Sequence, residues 1–136
     1  MKIISNPPDP GRMTGAEMRV VREGLGLSGP QLALVMGVND RTVRRWELGE
    51  TPIPESVRVE IEGYERSTAE QVAAVVADVM AVRGDAGLVT YPSDEEFWRA
   101  EPHMWPWPAS WQRVMVYRVA QEVPGLEILY ETDVSR

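Results

Sequence analysis

Glycine and proline punctuate the first half of the chain so closely that only short helices fit there. Gly24 with Gly26, then Gly37, then Gly49 with Pro52 and Pro54 each stop a run of helix-forming residues. Glycine adopts the left-handed backbone that ends a helix, and proline lacks the N–H that a helix interior needs. The starts are marked as well. Thr14 with Glu17 and Ser28 with Gln31 have the spacing of a capping box, and Asn39 is a favoured N-cap. These signals predict a first helix over about 15–24. A second helix follows Ser28, with Pro30 tolerated only in its first turn, and a third follows Asn39. Residues 1–12 contain Pro7, Pro8, Pro10 and Gly11 and read as a mobile arm, in which Lys2 and Arg12 suit a minor groove.

Beyond Pro54 the elements lengthen. ESVRVEIEGYER places Val57, Ile61 and Tyr64 at helical spacing for a fourth helix, and Ser67 with Glu70 repeats the capping-box signal ahead of a fifth helix. Val72, Val75, Val76, Val79 and Met80 give that fifth helix a long apolar face. After Gly84 to Gly87 the pattern changes: LVTY reads as a strand, Ser93 with Glu96 opens a short acidic helix, MWPWPASW is irregular, a helix spans about 110–122, and LEILYE is a second strand. The expected fold is mainly α with a small α+β C-terminal part, a five-helix unit followed by strand-helix-helix-strand. Its parts are an arm (1–12), a helix-turn-helix domain (13–66), a long connecting helix (67–84) and a small α+β dimerisation or partner-binding unit (85–136).

Composition narrows the chemistry. With 136 residues, no cysteine and one histidine, the chain lacks the means for disulfides, thiol nucleophiles or a multi-histidine metal centre. Asp94, Glu95 and Glu96 occupy a helix's first turn, where carboxylates ordinarily complement the dipole. Neither catalysis nor a cofactor or metal is expected, and the absence of a long apolar run points to the cytoplasm. The net charge of −7 argues at first against nucleic acid, but the charge is unevenly placed. Residues 1–50 carry seven basic and six acidic side chains, whereas residues 51–136 carry seven and fifteen, and Arg41, Arg44 and Arg45 fall within five positions. A local positive stripe therefore exists on an acidic protein.

Two short helices joined through Gly37, the second loaded with arginine, match the helix-turn-helix device. The stretch MTGAEMRVVREGLGLSGPQLALVMGVNDRTVRRWELGE resembles the Cro/repressor type of helix-turn-helix, the XRE family, from residue 13 to about 64. Leu25-Gly26-Leu27-Ser28, Leu32-Ala33, Gly37-Val38, Thr42-Val43 and Arg45-Trp46-Glu47 carry the likeness. The resemblance implies base-reading positions at Asp40, Arg41, Thr42, Arg44 and Arg45, with Arg41 and Arg44 best suited to guanine. For Asp40, a bond to a cytosine amino group and a dipole role at the helix start are both open. Phosphate contacts are expected at the start of the second helix (Ser28, Gly29, Gln31), at Asn39, and at Thr51 in the loop after the third. The family usually has glutamine directly after the capping serine, where this chain has Gly29. Arg22 and Glu47 match positions that form an internal ion pair in that family, while Val43 and Trp46 read as core.

Phe97, Trp98, Trp105, Trp107, Trp111 and Tyr117 crowd the C-terminal unit. Three readings stand: a dimer interface, since aromatics are enriched there, a compact core within one chain, or a stacking platform for bases or sugars. The order of helix-turn-helix, long helix and small strand-containing unit also resembles the anti-CRISPR-associated regulators of phages in architecture and length. That resemblance implies an autorepressor whose dimer covers an inverted repeat upstream of its own operon. Double-stranded DNA and a second copy are the expected partners, with an antitoxin-like protein partner for the acidic half as the alternative.

Overall fold

A computed structural model describes residues 1–134. The first three helices are α1 (Gly15–Gly24), α2 (Gly29–Met36) and α3 (Asp40–Glu47). Each begins at its expected cap. Thr14 Oγ1 accepts from the Glu17 N–H at 3.0 Å while Glu17 returns an acceptor to Thr14, and Ser28 with Gln31 does the same for α2. Gly37, at φ 73°, ends α2 in the left-handed conformation.

The break expected at Ser67 is absent. The fourth and fifth expected helices are one helix, α4 (Glu55–Met80), about 39 Å long at 1.5 Å per residue. Its buried stripe of Val57, Ile61, Thr68, Val72 and Val79 keeps helical spacing straight through the supposed boundary. Ser67 caps nothing there, and its hydroxyl accepts from Gln71 one turn on, at 3.3 Å. Thr68 is the reason the stripe holds. Its hydroxyl donates to the Tyr64 carbonyl at 2.8 Å and accepts from Trp111 Nε1 at 3.1 Å, so a polar residue fills a core position with both its bonds made.

The C-terminal part follows the expected order: β1 (Gly87–Thr90), α5 (Asp94–Ala100), a 3-10 turn over Pro102–Met104, α6 (Ala109–Glu122), β2 (Glu127–Tyr130) and a terminal turn of helix, α7 (Glu131–Val134). β1 and β2 pair in parallel, Gly87 opposite Glu127 and Thr90 opposite Tyr130. A parallel pair needs a long crossover, which α5 and α6 provide. Residues 135 and 136, the end of the expected α+β unit, lie outside the described residues.

The two halves of the chain share one buried core. Met18, Leu25, Leu32, Val43, Trp46 and Ile61 belong to the same buried cluster as Phe97 and Trp111. For Phe97 and Trp111, of the six aromatic residues, the reading as a dimer interface gives way to the reading as a core within one chain. Phe97 and Trp111 are 0% and 2% exposed and have no surface to offer a partner. Trp107 packs edge-on to Tyr64 at 5.1 Å and against Trp111 at 4.9 Å, and the Trp98 indole N–H donates to the Trp107 carbonyl at 2.8 Å. These rings bind α5 and α6 to α4. Trp105 and Tyr117 remain exposed.

Candidate nucleic-acid interface

The helix-turn-helix is held rigid from behind. Val43 and Trp46 of α3 are buried against α1 and α2, which turns the opposite face of α3 outward. Arg22 of α1 grips Glu47 of α3 through two parallel bonds, Nε to Oε2 at 2.7 Å and Nη2 to Oε1 at 2.8 Å, while Nη1 donates to the Leu27 carbonyl at 2.9 Å. The Glu47 hydrogen bonds raise the Arg22 guanidinium's affinity for its proton above the usual arginine value, against the opposing effect of burial. Gly15 completes the clamp. A methyl group there would lie 2.3 Å from the Glu47 carbonyl oxygen, so only glycine lets α1 start so close to the end of α3.

On the outward face of α3, Asp40, Arg41, Arg44 and Arg45 are exposed and Thr42 is half-buried. The three arginines line one open concavity of about 500 Å3 together with Asn39, Asp40, Leu48 and Glu50. Their pairing state separates them from most of the other arginines. Arg19, Arg22, Arg58, Arg99 and Arg118 each hold a carboxylate, and Arg113 donates to the Tyr91 carbonyl. Arg41, Arg44 and Arg45 have no such partner among the described residues, which leaves all their guanidinium donors open. Leu48, 60% exposed beside them, was missed by sequence reasoning because it falls at the helix end. An apolar side chain at such a place suits a thymine methyl.

The family model for Aca2/YdiL-like proteins matches residues 13–123, from the first buried residue, Met13, to the end of α6. The chain belongs to the Aca2/YdiL-like family. Among curated proteins, the transcriptional repressor protein KorC of Escherichia coli is 50% identical to it over 44 residues, 30% of this chain and 52% of KorC. The chain thus spans about half the length of the curated relative it matches.

In this Aca2/YdiL-like chain the expected phosphate contacts divide. Ser28 and Gln31 spend their side-chain oxygens on the capping box, and Asn39 Oδ1 accepts from the Arg41 N–H at 2.8 Å. Pro30 has no N–H, so the Gly29 amide is the donor that the first turn of α2 leaves open. Asp40 reaches toward that turn: a methyl group on Gly29 would lie 3.7 Å from Asp40 Oδ1. The carboxylate therefore stands near the starts of two helices, the favourable place for a negative charge. Thr51 is exposed just past α3 and shares a concavity with Arg12 at the base of the arm.

Outside the helix-turn-helix, two of the three carboxylates that sequence reasoning weighed for catalysis, Asp94 and Glu95, make structural contacts. Asp94 Oδ1 accepts from the Ala109 N–H at 2.8 Å and so caps α6, whose own N-cap, Pro108, has no side-chain acceptor. Glu95 pairs with Arg99 on the surface. No helix among the described residues is long and apolar enough to cross a membrane.

Proposed function

We propose that the protein is a sequence-specific, double-stranded DNA-binding transcriptional regulator, a cytoplasmic and non-enzymatic dimeric autorepressor that reads an inverted repeat through the major groove. One observation carries the reading: three neighbouring arginines on the outward face of α3 lack carboxylate partners among the described residues of a chain whose net charge is −7. Membership of the Aca2/YdiL-like family and the likeness to the repressor KorC support it. Arg41 and Arg44 are assigned to guanine edges, each contributing about 1–3 kcal/mol of discrimination. Thr42, Arg45 and Asp40 flank them, and the Gly29 amide with Thr51 meets the phosphate backbone.

Dimerisation is assigned to the exposed apolar residues of the C-terminal half, Trp105, Tyr117, Ile128 and Tyr130, in place of the core aromatics. A two-fold dimer sets its recognition helices one DNA turn apart, about 34–36 Å. Selection of the purified protein from a random duplex pool at near-physiological salt tests this. The reading predicts an enriched inverted repeat with half-site centres about 10 base pairs apart. Salt-sensitive binding without enrichment would contradict it.

A further inference from the structure

An apolar cavity of about 270 Å3 lies between α4, β1, α5 and α6, and none of its lining residues belongs to α1, α2 or α3. Phe97 and Trp111 back it from within the core with almost no surface of their own exposed, and the half-buried Val75, Leu88, Met104 and Met115 form its accessible apolar wall, the two methionines polarisable and adaptable. A dry cavity of about 150 Å3 already holds benzene, so this one has room for a substituted ring. Four polar residues also line it, and two are already committed. The Gln112 amide accepts from Thr90 Oγ1 at 2.5 Å and donates to the Val89 carbonyl at 3.1 Å, and Gln71 donates to Ser67. Glu101 and His103 carry no side-chain hydrogen bond among the described residues. Glu101 is half-buried, and its backbone is fixed by bonds to Phe97 and from Met104 at 2.8 and 3.0 Å. A carboxylate held without a partner at the edge of an apolar space selects for a cation with an apolar body.

The cavity is mechanically linked to the opposite side of the molecule. α6 supplies much of its lining, and the N-terminal end of α6 presses on the turn between α1 and α2. There Gly26, at φ 72°, leaves no room for a side chain: a methyl group would lie 2.6 Å from the Ser110 carbonyl oxygen and 2.7 Å from Val114. The Ser110 hydroxyl also donates to Gln31 Oε1 at 3.5 Å, the same oxygen that closes the capping box of α2.

We propose that this cavity is an effector site for a small apolar ammonium compound of arylalkylamine size, its ring against Met104 and Met115 and its ammonium donating to Glu101. Occupancy acts through α6 on the start of α2 and changes affinity for DNA. The regulatory half of this rests on the function proposed above, whereas the binding half does not.

The test titrates the full chain with 2-phenylethylamine and with its neutral counterpart 2-phenylethanol, by calorimetry and by backbone amide resonances. The amine binds one per chain, about tenfold tighter than the alcohol, as a charge-assisted bond requires. It shifts the resonances of Val75 and Met115 and, through α6, those of Gly26 and Gln31. Glu101→Gln removes the preference for the amine, and Val75→Trp, which fills the cavity, removes both ligands. Equal binding of amine and alcohol, no saturable binding, or preference retained in Glu101→Gln would overturn the site. On the duplex obtained by selection, saturating amine changes affinity by about fivefold or more. Amine binding with unaltered DNA affinity overturns the coupling alone, and amine binding by a protein that selects no duplex overturns the proposed function and leaves the site standing.

Discussion

Arg41, Arg44 and Arg45 of α3 stand in the opposite electrostatic state to Arg58 of α4 and Arg118 of α6. Arg58 sits between Glu55 and Glu62, and Arg118 reaches across from α6 to Glu65 at 2.8 Å. Arg41, Arg44 and Arg45 face solvent with their donors unspent. Arg12, Arg66 and Arg83 also lack partners among the described residues, but they stand singly, Arg66 on α4 and the other two outside any helix or strand. The lesson is that net charge is the wrong quantity for judging phosphate affinity. Carboxylates are concentrated after residue 50, where they pair with Arg58, Arg99 and Arg118, and the three outward arginines of α3 are left without such partners among the described residues.

Five substitutions break or sharpen that contrast. The largest effect belongs to the shared core: Trp111→Ala, which also removes one of the two bonds of the Thr68 hydroxyl, should cost about 3–5 kcal/mol in urea denaturation. A loss below about 1 kcal/mol would mean that the ring packs loosely. Next is Glu47→Ala, which leaves the Arg22 guanidinium without its partner at about 3 kcal/mol. DNA binding should fall with folding in that variant, so it serves as the control that separates scaffold from contact. Third is the contrast itself. Arg44→Ala should weaken specific DNA binding by about 1–3 kcal/mol without moving the melting temperature. Arg118→Ala, whose ion pair is partly exposed, should shift stability by less than about 1 kcal/mol and leave DNA affinity unchanged. Equal loss of DNA binding in the two would erase the distinction. The smallest effect is expected for Gly29→Gln, which trades a helical glycine for a better helix former and gains less than about 1 kcal/mol in thermal unfolding. The nearest group, an Asp40 oxygen at 3.7 Å, is at ordinary contact distance, so clear destabilisation would contradict this geometry.

How far the sequence was legible differed between the same regions. α1, α2 and α3 begin and end at local signals, Thr14, Ser28, Gly37 and Asn39, whose effect reaches only a few residues, so a reading along the chain recovers them. α4 was divided because Ser67 and Glu70 imitate a start while Thr68 hides the apolar stripe. Only its partner Trp111, 43 residues away, explains a buried threonine at that place. Asp94 was read as serving its own helix, yet its oxygen caps α6 across 15 residues. The aromatic residues announced burial without naming what buries them, and Phe97 and Trp111 turned out to be covered by their own chain. Gly15 and Gly26 carry no sequence mark of the backbones that approach them, since close approach is a property of the packed state alone.

The central claim is that α3 reads bases through unpaired arginines. Repeating the duplex selection with Arg44→Ala beside the unaltered protein tests it most directly. The account predicts that the variant enriches the same inverted repeat with the preference at one symmetric base pair of each half-site lost. An unchanged consensus at every position would contradict it.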